Sequence, residues 1–207
     1  MSGPARLPRT FYRRGALEVA PELLGKLLVR DDGRSVRIVE VEAYLGEADP
    51  ASHAFRGPTP RNATMFGPAG HVYVYFTYGM HWCANVVCGD DGEAAAVLLR
   101  AGAPVDGVDR MEVARGGRGG RDLASGPAKL CQALGIDRTL DGTDLVSHGS
   151  ALALVDDGVA PPRRPARSTR VGIREGREHQ WRYWVPGDPT VSPFRWGRGA
   201  REAADAM

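Results

Sequence analysis

Apolar and polar residues alternate with the two-residue period of β-strands along much of this chain. Residues 36–41 (VRIVEV) are β-branched and extended, and continuing their alternation puts Glu40, Glu42 and Tyr44 on one face. Residues 72–76 (VYVYF) alternate Val and Phe with Tyr73 and Tyr75. The pattern breaks at Thr77, Tyr78, Gly79 and Met80, then resumes over residues 84–88 (ANVVC), which predicts a hairpin with Tyr78 near its tip. Residues 94–99 form a further buried-strand candidate. Helical spacing is confined to residues 15–24, 105–114 and 126–134. The last begins Ser125-Gly126-Pro127, read as a serine cap followed by a proline in the first turn. A mixed α+β domain around an antiparallel sheet is the expected class.

Composition narrows the picture in two respects. The 207 residues suit one domain. No run approaches the roughly 20 apolar residues of a membrane span, and residues 1–10 have no apolar secretory stretch, so a cytoplasmic protein is expected. The glycine-rich residues 116–120 and the Pro/Arg-rich residues 161–167 read as loops, and neither divides the chain into domains. Cys83, Cys88 and Cys131 are odd in number and lack CxxC spacing, which predicts buried thiols rather than disulfides; His81 beside them lacks partners for a zinc site.

Charge changes the picture more. The net charge is only +2, but residues 163–201 hold ten arginines against Glu175, Glu178 and Asp188. Guanidinium forks match phosphate oxygens, and such clustering fits a nucleic-acid surface. A solvated, arginine-biased surface would read the same, since the chain has only two lysines, Lys26 and Lys129.

Candidate chemistry gathers around the alternating segments. A strand carboxylate shielded from water, such as Glu42, is fitted for general acid/base work, or else is simply paired with an arginine. Tyr73, Tyr75 and Tyr78, with His71 and Trp82 close in sequence, could stack on bases or fill core. Core suits Tyr73, whereas Tyr78 at a turn beside Gly79 suits a wedge between base pairs. His53, in a loop after Pro50-Ala51-Ser52, is a candidate ligand contact.

The ordered segments VEVEAYLG (residues 39–46), DPASHA (49–54), TPRN (59–62), GHVYVYFTYGM (70–80), LLRA (98–101) and SGPAKL (125–130) resemble the alkyladenine (3-methyladenine) DNA glycosylase family. The resemblance runs from about Pro21 to Ser192, starting near the head of the chain, so no long N-terminal extension like that of mammalian members is expected. It implies a curved, open-barrel-like antiparallel sheet with a protruding hairpin and flanking helices. Glu42 falls where the family's general base holds the attacking water. Arg100 and the backbone carbonyl of Val171 fall where that water is positioned. Tyr44, His53 and Tyr75 match the rings that sandwich a flipped base, and Asn85 matches a residue that disfavours the 2-amino group of guanine. Tyr78 matches the wedge, with Met80 beside it as a further DNA contact. The hairpin departs from mammalian members at Phe76-Thr77 and His81-Trp82.

The implied activity is hydrolysis of the N-glycosidic bond of alkylated or deaminated purines in duplex DNA, by a monomer, with no cofactor and no metal. Neither lysine lies in a matching motif, so a Schiff-base lyase is not expected. A non-catalytic nucleic-acid binder on the same fold would need only the arginines and the aromatic hairpin. A hydrolase of free nucleosides would leave both features without a purpose.

Overall fold

The structure is a computed structural model describing residues 4–197. Nine strands and four helices follow in the order β1 (Ala5–Arg6), α1 (Arg9–Tyr12), α2 (Ala16–Leu23), β2 (Leu27–Arg30), β3 (Ser35–Leu45), β4 (Val72–Thr77), β5 (His81–Cys88), β6 (Ala95–Asp106), α3 (Val108–Ala114), α4 (Pro127–Leu134), β7 (Leu152–Asp156), β8 (Ala166–Ser168) and β9 (Arg182–Trp184). The strands form one antiparallel sheet, ordered β1-β7-β2-β3-β6-β5-β4, curled into a half-barrel. Helices pack against its apolar face. In α2, Ala16, Val19, Ala20 and Leu23 recur at helical spacing and are all buried; Val19 and Leu23 contribute about 1.5–3 kcal/mol each. The expected single α+β domain with a curved antiparallel sheet is what forms.

β3 organises the molecule. Its first half pairs with β2 through Ser35–Arg37, and its second half exchanges that neighbour for β9 through Glu40–Glu42. Along its other edge β6 pairs throughout, but the register shifts on either side of Glu40. Val36 and Ile38 belong to the core, and so do Val41 and Ala43. Unbroken alternation would have put Glu40 and Glu42 among Val36 and Ile38. The irregularity, which leaves Val39 and Arg100 without register partners, changes the phase of the strand. Both carboxylates therefore turn away from the oily face.

Several boundaries differ from expectation. Residues 105 and 106 finish β6, and the helix starts at Val108. Gly107 between them has φ 67°, and a Cβ there would lie 2.9 Å from the Arg34 Cα, so the chain turns before a helix can begin. Ser125 does not cap α4; Gly126 occupies that position, and the serine hydroxyl donates instead to the Val191 carbonyl at 3.4 Å. Ala166 and Arg167, expected in a loop, instead join Ser168 in β8, which pairs with β9. Cys83, Cys88 and Cys131 are free and buried.

Candidate active site

β3, β6, β4 and the segments after β3 and β8 converge on a cleft of about 520 Å³. Its walls include Glu42, Tyr44, His53, Tyr75, Tyr78, Arg100 and Val171, which lie far apart in sequence. Asn85 lies beyond them, in a small adjoining recess of about 50 Å³ that also touches Tyr44, His53 and Tyr75. Met80 is not part of the cleft wall and stands 69% exposed at the hairpin tip.

The floor is built on the altered phase of β3. Glu42 is fully buried. Its Oε1 accepts the Val171 N–H at 2.7 Å and lies 3.3 Å from Arg100 Nη1. Its Oε2 accepts the Tyr44 hydroxyl at 3.0 Å. The sequence left Glu42 either paired with an arginine or poised for chemistry; in the fold it is paired and also faces the cleft. The Val171 amide N–H contact to the glutamate is additional to the water-positioning role expected of its carbonyl.

Glu40, two residues back, has a different environment. It accepts Arg100 Nε at 2.7 Å, Arg182 Nε at 2.7 Å, and the Ser192 N–H and hydroxyl at 2.7 and 2.9 Å. Burial opposes its charge, but Arg100 and Arg182 more than offset this and hold its carboxyl below the usual range. Arg100 is therefore shared between two carboxylates. Its own burial is outweighed by Glu42 and Glu40, which raise its pKa and keep it cationic.

The aromatic walls are layered. Tyr73 and Tyr75 stack with centroids 5.6 Å apart, and the His53 ring meets Tyr75 edge-on at 4.3 Å. His53 Nδ1 pairs with the Tyr73 hydroxyl at 3.2 Å. Part of the His53 ring is open to solvent; packing around the rest, and then the Arg61 charge, lower its pKa, leaving a neutral imidazole near pH 7. Burial raises the Tyr44 and Tyr75 hydroxyls well above the usual value, so both remain protonated. A small satellite core of Ala54, Met65, Tyr73, Val87, Ala94 and Ala96 supports this wall. His71 and Trp82 do not join it. His71 contacts Arg9 and the Pro68 carbonyl, and Trp82 packs on Phe76 at 4.7 Å.

The hairpin tip projects from the cleft mouth. Thr77 and His81 pair, and the turn between them has Tyr78 at φ 52° and Gly79 at φ 65°. Left-handed geometry at both central residues is what a type I′ turn needs; Gly79 adopts it freely, whereas Tyr78 holds it at a cost of about 1–2 kcal/mol. Tyr78 is 83% exposed.

The arginine-rich stretch does not form one uniform exposed surface. Arg170 is buried against Asp49, and Arg182 against Glu40, so neither can reach phosphates. Arg163, Arg164, Arg167, Arg174 and Arg195 are exposed, whereas Arg177 is half-buried. Arg198 and Arg201 lie outside the described residues. Sequence reasoning missed the Glu40–Arg182, Glu40–Ser192 and Asp49–Arg170 partnerships, because each spans more than a hundred positions. The one available signal was the two-residue spacing of Glu40 from Glu42.

A curled sheet thus gathers a buried carboxylate, aromatic walls and an exposed aromatic hairpin tip around one cleft. A family model described as Methylpurine-DNA glycosylase (MPG) matches residues 10–189. A protein of Burkholderia cenocepacia is 57% identical over 187 residues, covering 90% of each chain. One of Streptomyces avermitilis is 49% identical over 203 residues, covering 94% of this chain and 95% of its own. One of Chlorobaculum parvum is 49% identical over 196 residues, covering 93% of each. All three carry the name "Putative 3-methyladenine DNA glycosylase". The chain belongs to the methylpurine-DNA glycosylase family, and its substrate is DNA.

Proposed function

We propose that this glycosylase extrudes an alkylated or deaminated purine from duplex DNA and hydrolyses its N-glycosidic bond, with Glu42 as general base. The observation that carries this reading is the convergence of Arg100, Tyr44 and the Val171 N–H on the Glu42 carboxylate within the cleft. Three donors fix the carboxylate without covering the cleft it faces. The flipped base would lie between the Tyr44 ring and the His53 and Tyr75 rings, with Asn85 at the adjoining recess screening its exocyclic groups. Tyr78 would fill the gap left in the stack, offsetting an unstacking cost of a few kcal/mol.

The chemistry then balances simply. Water attacks the sugar C1′, its proton passes to Glu42, and the glycosidic electron pair leaves with the base. An N3- or N7-alkylated purine is cationic and departs neutral, so it needs little acid assistance. The Glu42 anion also stabilises the oxocarbenium-like centre. The Val171 carbonyl is assigned as a second acceptor for the water. No lysine lines the cleft: Lys26 pairs with Asp156 and Lys129 with Asp122. Hydrolysis is therefore favoured over a Schiff-base route. Among the described residues no helix is long and apolar enough to cross a membrane, and action on DNA in the cytoplasm as a monomer fits this reading.

Single-turnover excision from a duplex carrying one 3-methyladenine, 7-methylguanine or hypoxanthine tests it. Glu42→Gln is expected to slow excision at least ~10²-fold while lesion-duplex binding survives. Near-normal turnover in this variant removes Glu42 from the chemistry. Release from free nucleosides at the duplex rate would favour a nucleoside hydrolase, and no release from any substrate a non-catalytic binder.

A further inference from the structure

One wall of the cleft has a buried cation behind it. Arg170 is not part of the cleft lining. Its guanidinium lies over the Tyr44 ring, 4.5 Å from the centroid, and also over the Trp181 ring at 5.0 Å. His179 continues the column, stacked on Trp181 at 4.0 Å with the planes 3° apart. Arg170 and Asp49 are both fully buried and joined by two hydrogen bonds, one of them Nη2 to Oδ1 at 2.8 Å. Arg170 Nη1 also donates to the Ala43 carbonyl at 3.0 Å. Asp49 in turn accepts the Leu45 and Ala51 N–H groups at 3.3 and 3.0 Å. Hydrogen bonding alone would not require a planar cation against the back of a tyrosine whose front faces the cleft.

We propose that the buried Arg170–Asp49 pair determines how the cleft discriminates between a cationic and a neutral base stacked on Tyr44. This inference rests on the base-binding role proposed above. A cation draws the π-density of an aromatic ring toward itself, so the open face of Tyr44 becomes a poorer seat for positive charge. A base stacked on that face would have its centre about 8 Å from the guanidinium, within the range at which a partly desolvated charge is felt. Asp49 compensates much of that field, so the net bias depends on the balance between the two charges. Removing one charge or the other should therefore move selectivity in opposite directions. A purely structural pair would instead depress excision of both kinds of lesion together.

Single-turnover excision of 7-methylguanine (cationic) and hypoxanthine (neutral) from otherwise identical duplexes at pH 7 measures this as a ratio. Arg170→Met is expected to shift the ratio roughly three- to tenfold toward the cationic base, and Asp49→Asn by a similar factor toward the neutral one. The double variant Arg170→Met/Asp49→Asn, which leaves no unpaired buried charge, should return within about twofold of wild type. If a single variant does not fold, Arg170→Lys keeps the charge without the planar stack; its rates should fall while the ratio stays near wild type. Single-variant ratios that do not move, or that move in the same direction, overturn the proposal, as does a large change of ratio in Arg170→Lys. Excision of neither lesion by the wild type would instead remove the base-hydrolysis reading beneath it.

Discussion

The cleft floor and the hairpin tip stand at opposite extremes of the molecule. On the floor, Glu40, Glu42, Arg100 and Arg182 are buried and bound to one another at hydrogen-bonding distances. At the tip, Tyr78, Gly79 and Met80 are exposed, and Tyr78 holds a left-handed backbone conformation. The floor spends folding energy to fix charges beside the carboxylate proposed as general base. The tip keeps a tyrosine ring in water on a left-handed backbone. On the proposed function, preorganised electrostatics and a contact completed on binding are thus separated in space, and changes in one should barely register in the other.

The largest expected effect lies on the floor. Glu40→Ala leaves Arg182 buried without its carboxylate and Arg100 with Glu42 alone, and should cost about 3–5 kcal/mol in denaturant unfolding. Acid provides an independent check. The folded pKa of Glu40 lies below its ordinary value of 4.5, so the unfolded chain takes up the proton first as pH falls. Its contribution is full above that value and is lost as pH drops through the folded pKa; the alanine variant should lose this part of the acid limb. A loss under 1 kcal/mol would mean that the floor is not rigidly dependent on its charges.

A smaller effect, of a different kind, is expected at the tip. Tyr78→Ser should leave unfolding stability nearly unchanged but weaken the flipped state by about 1–3 kcal/mol, the scale of one base–aromatic stack. Fluorescent ethenoadenine in the duplex reports flipping, and single-turnover cleavage reports the chemical step. Unaltered flipping would pass the wedge role to Met80.

The smallest effect concerns the rim. Arg174 is exposed and lines the cleft mouth. Arg174→Ala should weaken duplex binding modestly and reduce the slope of log affinity against log salt by about one. An unchanged slope between roughly 50 and 200 mM salt would exclude Arg174 from the phosphate contacts.

Much of this contrast was legible in the sequence. Period-two segments located β3, β4, β5 and the start of β6, and the Tyr78-Gly79 break located the hairpin tip, because pleat and turn chemistry act over two to four residues. The motifs around Glu42, His53 and Tyr75 named residues that the fold gathers into one cleft. Weakly periodic β2, β7, β8 and β9 escaped notice because their pairing partners, not their own patterns, make them strands.

The sequence by itself determined which residues alternate, where the chain turns and which side chains could do acid/base or stacking chemistry, since these follow from local backbone geometry and side-chain type. Only the tertiary structure decided which charges were free to act. Ten arginines in one stretch look equivalent along the chain, yet Arg170 is withdrawn by Asp49, 121 positions away, and Arg182 by Glu40, 142 positions away. It also decided which way Glu42 faces, through a register shift at Glu40 that depends on β6 and β9 lying alongside β3. Burial and pairing are properties of neighbours in space, and a charge's worth is set by those neighbours.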